Sequence, residues 1–216
     1  MKKIIPSLLF MAIIIAGNAQ SFEKGSKIIG LGSGLGIYKT TWEDKSNTNV
    51  TDDDDGAGAF VFPLTFEYGV LNWLGAGARL GYNNYIEGND SSNTNENARG
   101  IDFNGFVNLH FLRTNHVDMF VSGEFGYSNF KYTADVTSGG STNSAMAKAS
   151  GTGYSVGLNT RFYFGKNPHF GINLRFAFEG FNYENGEITD TQGSTPYKFG
   201  LKGDGKLFGI GLQYKI

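Results

Sequence analysis

The sequence contains no cysteine, and its 216 residues include only four prolines and three histidines. Without cysteine the chain cannot form disulfide bonds, thiolate metal sites or a cysteine-linked lipid anchor. The charge is nearly balanced at −2, so the composition gives no reason to expect nucleic acid as a partner. Scarce proline beside 32 glycines, 19 phenylalanines and 11 tyrosines favours many β-strands over a helical bundle.

Long apolar runs are also rare, and the only candidate lies at the N-terminus. Lys2 and Lys3 precede a short apolar run over residues 8–15, and Gly17-Asn18-Ala19 supplies small residues at the expected cleavage positions. The run is too short to cross a bilayer, so it predicts a secretory signal peptide that is cut between Ala19 and Gln20.

Three parts of the chain follow from this prediction. Residues 1–19 form the cleaved signal peptide, 20–26 a short periplasmic N-terminal segment, and 27–216 a single β-domain. Because no later stretch could span a bilayer as a helix, the exported protein is predicted to be either soluble or a membrane β-barrel.

The last ten residues show most clearly how the β-domain is built. Every second residue is apolar, and glycine, glutamine and lysine lie between: the apolar positions are Phe208, Ile210, Leu212, Tyr214 and Ile216. A period of two predicts a β-strand with one apolar and one small or polar face. The same alternation predicts seven further strands, at about 27–40, 59–71, 74–85, 99–112, 118–133, 153–165 and 169–184.

The connections between these strands alternate between long and short. Long polar loops are predicted before strands two, four, six and eight, and tight turns lie between the others. This rhythm is typical of an all-β fold, an eight-stranded antiparallel up-and-down transmembrane β-barrel with both termini at the short turns. Pro63 lies within strand two, where its missing N–H predicts a bulge or a local break.

The first long loop contains an acidic run, Asp52 to Asp55. It resembles the start of a calcium loop, but Thr51 and Phe62 stand where the first and last acidic ligands belong. A solvated acidic loop is the favoured interpretation, and weak binding of divalent cations stays open.

Charge placement bears on which barrel face is outside. All mid-strand charges share the glycine-rich and polar face: Glu67, Arg79, Asp102, Glu124, Arg161, Arg175 and Glu179. A soluble barrel would place that face in water, whereas a membrane barrel would turn it inward. The scarcity of lysine and glutamate on it, and aromatic residues near both strand ends, favour the membrane barrel.

The seven charges are therefore predicted to line a narrow lumen as a structural network. An eight-stranded barrel has room only for side chains, and a buried lone charge costs several kcal/mol. We expect a ladder of ion pairs centred on Arg161 and Arg175, with Glu124 and Glu179 as their main partners. Larger inward residues, such as Phe106, should fill the space over the glycines of strand one.

The chain resembles the small outer-membrane β-barrel proteins of Gram-negative bacteria, the opacity-type and porin-like families. The resemblance covers about 27–216 and is most specific in the alternating final strand, although Ile216 replaces the usual terminal aromatic. It implies an outer-membrane location, contact with outer-membrane lipid and lipopolysaccharide, and recognition of the last strand by the barrel-assembly machinery. It implies loops facing outward but names no extracellular partner.

The sequence favours a non-enzymatic barrel that contributes to envelope structure and surface contacts. Lipid-modifying barrels need a nucleophile or base facing the membrane, yet only Thr160 and Ser33 interrupt the apolar face, with no His or acid beside them. We predict no catalytic residue, cofactor or metal site. A small-solute channel is the main alternative, and a lipid-modifying enzyme is a more distant one.

Overall fold

The computed structural model describes residues 21–45, 53–87, 96–138, 141–165, 169–190 and 197–216. The predicted signal peptide, Asp52 and the predicted turn 166–168 lie outside these ranges. The described residues form eight antiparallel strands: β1 (Lys27–Asp44), β2 (Asp53–Leu71), β3 (Leu74–Glu87), β4 (Glu96–Arg113), β5 (Val117–Ser138), β6 (Ser141–Phe164), β7 (Phe170–Asp190) and β8 (Tyr197–Lys215).

The strands are joined in sequence order, and β1 pairs with β8 to close the ring. This confirms the predicted eight-stranded up-and-down barrel. The apolar faces point outward, where Leu31, Phe103 and Phe125 are each at least 60% exposed. The opposite faces point into the lumen, where the side chains of Glu67 and Asn159 are almost completely buried.

The two ends of the barrel differ in their connections. One end, here called the short-turn end, carries the connections β2–β3, β4–β5 and β6–β7. The two ends of the chain also meet there, where the Ile216 amide donates to the Lys27 carbonyl at 2.8 Å. At the other, the loop end, strands reach beyond their predicted limits. The predicted loop 135–151 was wrong, because most of it forms the paired arms of β5 and β6.

Small residues explain why this hairpin was missed. Ala147 and Ala149 point inward and are buried, while Lys148 between them is exposed, so the two-residue period persists without large apolar side chains. The acidic run needs a similar correction, because Asp53 to Asp55 pair with β1 as strand residues. Cross-strand hydrogen bonding extends the strands here, with small apolar residues at the inward positions of β6.

Pro63 produces a local break and no bulge. The β1–β2 pairing stops at Leu31 with Leu64 and resumes at Gly34 with Val61 in the same register. The missing N–H of Pro63 accounts for this gap, because proline cannot donate to the ladder. A small cavity of about 70 Å³ lies behind it, against the glycine-rich inner face of β1.

The residues before β1 cover the short-turn end of the lumen. The Ser21 amide donates to the Thr114 carbonyl at 3.1 Å, and Gly25 and Gly69 are bound into the same segment by backbone hydrogen bonds. Phe22 is fully buried, and its ring stacks on that of His110 with 3.5 Å between centroids. The predicted periplasmic segment therefore acts as a folded plug, which its short sequence did not reveal.

Candidate functional site in the barrel lumen

Glycines create the room that the lumen side chains occupy. A methyl group on Gly75 would collide with the carboxylate of Glu67, and one on Gly77 would collide with the ring of Phe106. Large inward residues from β2 to β7 can therefore lie against a thin glycine wall. The lumen is filled in layers, which are described here from the short-turn end upward.

The first layer, here called the Arg161 cluster, comprises Glu67, His110, Asp118 and Arg161. The Arg161 guanidinium binds one oxygen of Glu67 at 2.5 Å and one of Asp118 at 3.3 Å. The imidazole of His110 lies between the same two acids, with Nε2 2.9 Å from Glu67 and Nδ1 2.8 Å from Asp118. The four side chains form a closed ring in which every contact joins groups of opposite charge or a donor to an acceptor.

The position of His110 between two carboxylates determines its role in hydrogen bonding. Both imidazole nitrogens face carboxylate oxygens, and a carboxylate can only accept. A doubly protonated ring supplies both donors and gives the cluster two positive and two negative charges. Phe22 covers one face of the imidazole, and Phe120 lies 4.1 Å from the Arg161 guanidinium carbon, so the cluster is enclosed by aromatic rings.

The second layer, here called the Arg175 cluster, comprises Arg79, Glu124, Arg175 and Glu179. Glu124 accepts from Arg79 at 3.0 Å with one oxygen and from Arg175 with the other. Glu179 lies 3.5 Å from Arg79 and 3.3 Å from Arg175, and its second oxygen accepts from the Tyr38 hydroxyl at 3.0 Å. Two arginines and two glutamates balance, and both oxygens of each carboxylate are engaged.

The predicted network is present, but its pairing differs from the expectation. Arg175 lies between Glu124 and Glu179, the partners named from the sequence. Arg161 instead binds Glu67 and Asp118, so the two arginines belong to separate clusters. The prediction of shared carboxylates was wrong, because similar depth along the barrel does not fix which strands the side chains reach across to.

Asp102 is the one predicted lumen charge that lies in no ion pair within 4 Å of an arginine among the described residues. It accepts from the Asn83 amide at 2.5 Å and from the hydroxyl of Ser128. Ser128 in turn lies 2.6 Å from the Tyr183 hydroxyl. Neutral donors therefore satisfy Asp102 where the lumen changes from charged to aromatic.

An aromatic layer lies above the Arg175 cluster. Phe181 and Tyr183 stack with 4.7 Å between centroids, and Tyr85 and Phe130 meet edge to face at 5.5 Å. Tyr38 contacts the same group, with its ring 5.8 Å from that of Phe181.

The parity of Tyr38, which continues the inward glycine positions of β1, was the sequence signal for this layer. Asp118 was missed because it is the first residue of the predicted strand five, beside a short turn, and was not counted among the mid-strand charges.

No side chains in the described lumen are arranged around a common point that would hold a metal ion. Glu67 and Asp118 lie on opposite sides of the His110 ring and are both turned toward Arg161. The acids and bases neutralise one another, so the arrangement is suited to holding the barrel together and to closing its interior.

Comparison with solved structures identifies the fold. The outer membrane protein OprG from Pseudomonas aeruginosa matches over 92% of this chain and 99% of its own, with a TM-score of 0.60 and 13% sequence identity. This chain has the fold of an outer-membrane β-barrel. The outer membrane protein AlkL, with a TM-score of 0.53 at 14% identity, covers 93% of this chain and 94% of its own.

Another structure with this barrel fold is the outer membrane protease OmpT from Escherichia coli. It matches over 88% of this chain and 96% of its own, with a TM-score of 0.50 and 12% identity. At such identities the likeness shows a shared fold. No family model matches the sequence, and no curated protein sequence matches it. Among the described residues no helix is long and apolar enough to cross a membrane.

Proposed function

We propose that this barrel lies in a bacterial outer membrane and acts without catalysis, contributing to envelope structure and to surface contacts through its loop end. The observation that carries the proposal is the filled lumen. The Phe22 plug, the Arg161 cluster, the Arg175 cluster and the aromatic layer follow one another along the axis. Each layer is closed by contacts between side chains from several strands.

The outer surface supports the membrane location. A continuous apolar belt encircles the barrel, and monomeric soluble proteins rarely expose apolar patches beyond a few hundred Å². Aromatic side chains are exposed near both rims: Trp73, Phe111, Phe164 and Tyr214 at the short-turn end, and Tyr82, Tyr127 and Tyr154 toward the loop end. Such girdles are typical of membrane–water interfaces.

The same surface suggests the partners. The belt would contact outer-membrane lipid and lipopolysaccharide, and β8 would be the strand that the barrel-assembly machinery recognises. The short-turn end would then face the periplasm and the loop end the outside. Ionic contacts at the loop end, such as Lys202 with Glu43, would lie in the solvent beyond the bilayer.

The absence of catalysis is part of the proposal because the lumen carboxylates are already engaged. Both oxygens of Glu67, Glu124 and Glu179 have partners, which leaves them poorly placed to transfer protons to a substrate. Mass spectra of lipid A from cells with and without the protein should be identical. A new lipid A species that depends on the protein would overturn this part of the proposal.

Planar-bilayer recording tests the closed lumen directly. The full-length protein should give no large, steady single-channel currents, while an open porin in the same bilayer should give them. Cell fractionation should recover the protein with outer-membrane markers. Steady currents would refute the closed barrel and support the small-solute channel, and recovery as a soluble periplasmic protein would refute the membrane location.

A further inference from the structure

The lumen contains an apolar cavity at the loop end, above the aromatic layer. Its volume is about 430 Å³, several times that of the cavity behind Pro63. The side chains that shape it are mostly rings and aliphatic groups: Trp42, Tyr85, Phe130, Tyr132, Ile188 and Leu201. Pockets of about 300–1,000 Å³ with this kind of lining are typical binding sites for small molecules.

The position of the cavity limits what can enter it. Seven of the eight strands contribute to its wall, and Tyr85 and Phe181 of the aromatic layer form its floor. Among the described residues, the cavity is therefore enclosed from the sides and from below. An enclosed cavity of this size suits a small molecule rather than the surface of a second folded protein.

The inward face of the barrel is apolar at the loop end, whereas further down the same face carries the charged clusters. Trp42, Phe130 and Leu201 are only half-buried, so each presents apolar surface to the cavity. Covering that surface is favourable for any apolar molecule that fits, because apolar area leaves water on both sides.

The polar groups of the cavity are already engaged within the chain. The Thr40 hydroxyl donates to the Asp55 carbonyl at 3.2 Å, and the Gly56 amide donates to the Asp55 carboxylate at 2.6 Å. The arginines of the lumen lie below the aromatic floor. An anionic ligand would therefore lose its hydration without gaining a cationic partner among the lining residues, and the one lining carboxylate, Asp55, is exposed at the rim.

We propose that this cavity binds a small, uncharged, apolar molecule that carries an aromatic ring. Rings in the wall favour an aromatic ligand, since they can meet its edges and faces in offset or edge-to-face pairs. The inference goes beyond the proposed envelope role and does not depend on it. A closed lumen and a binding site at the loop end are compatible, because the charged clusters lie below the site.

Tryptophan quenching provides a test, because the chain has two tryptophans at opposite ends. Trp42 lines the cavity, and Trp73 is 50% exposed on the outer rim of the short-turn end. Full-length W73F protein in lipid nanodiscs would be titrated with 1-bromonaphthalene, a neutral quencher. We expect saturable quenching of Trp42. The reverse variant, W42F, should show only the gradual, unsaturable quenching of Trp73 by probe dissolved in lipid.

A pair of matched substitutions in the W73F background locates the site. Ala145→Phe adds a ring to the half-buried cavity wall, while Thr152→Phe adds the same ring to the exposed outer face of the same strand. We expect A145F to weaken probe binding at least tenfold and T152F to leave it unchanged.

Three results would overturn the proposal: linear quenching of Trp42, equal binding by A145F and T152F, or equally tight binding of the anionic 1-bromo-2-naphthoate. The heat-dependent shift in gel mobility establishes that each variant is folded. If A145F does not fold, the smaller Ala145→Leu change is used in its place, with the same expected direction. Failure of this test leaves the conductance test of the closed lumen unaffected, so the two proposals can fail separately.

Discussion

Replacing Arg161 with alanine tests whether ion pairing in the lumen stabilises the barrel. The guanidinium is the shared partner of Glu67 and Asp118, and the side chains of all three residues are at most 4% exposed. The substitution leaves two buried carboxylates with His110 as their remaining cationic partner. Breaking a buried ion pair in this way costs about 3–5 kcal/mol.

The expected loss is large enough to measure by denaturant unfolding. The assay is urea unfolding of the protein in lipid vesicles, followed by tryptophan fluorescence. With a slope of about 2 kcal/mol/M, a loss of about 4 kcal/mol lowers the midpoint by about 2 M. Arg99→Ala is the matched control, since Arg99 is exposed, and it should change stability by less than about 0.5 kcal/mol.

A second background separates the stranded charge from the lost packing. In Glu67→Gln protein one of the two carboxylates is already neutral, so Arg161→Ala should cost less there than in the native protein. The difference between the two costs is the coupling energy of the pair. If R161A and R99A unfold at the same midpoint, lumen water solvates the charges, the reasoning fails, and the channel alternative gains support.

Two further substitutions, one of them with a matched control, test the N-terminal plug and the glycine wall. Phe22→Ala removes a fully buried ring that stacks on His110 and should destabilise the protein by about 3–5 kcal/mol. Thermal unfolding in detergent measures this loss. An unchanged midpoint temperature would show that the N-terminal plug is only loosely attached. Gly75→Val should prevent folding into the form that shows the heat-dependent gel shift, because the added side chain would occupy the place of the Glu67 carboxylate. Gly123→Val is the control and should fold, since no atom lies within 4 Å of an added Cβ there. Equal folding yields for the two glycine variants would contradict the role of the thin wall.

Alternation along the strands, with the rhythm of long and short connections, was sufficient to predict the barrel, and the composition of the polar face then decided which face lies outside. Leu31 and Phe103 were assigned to the outside, and Glu67 to the lumen, from parity alone, because a period of two leaves no other choice once one face is known. The strand ends were harder to predict. Ala147 and Ala149 keep the period but carry little apolar surface, so the sequence there resembles a polar loop.

Partners within the lumen could not be read from the sequence. Parity places Arg161 inward, but its choice of Glu67 and Asp118 depends on how the ring closes and on which side chains project across it. The Phe22 plug was also hidden, because one aromatic residue in a short polar segment has no period to indicate burial. Tyr38 lies within the predicted first strand and Trp42 just beyond its end, and both continue the inward positions of β1, so parity alone would have found them.

The glycine wall has a consequence for the order in which this barrel can fold. In the described structure the charged lumen side chains come from β2 to β7, while the middle of β1 and β8 offers the lumen mainly glycine. The two ion-pair clusters can therefore form while the sheet is still open. In the middle of the closing seam, from Gly30 with Gln213 to Gly36 with Leu207, the lumen side of both strands is mainly glycine, so few inward side chains have to be rearranged as the strands pair. Over this section closure depends mainly on backbone pairing, while toward the loop end the rings of Trp42 and Phe199 also stack across the seam.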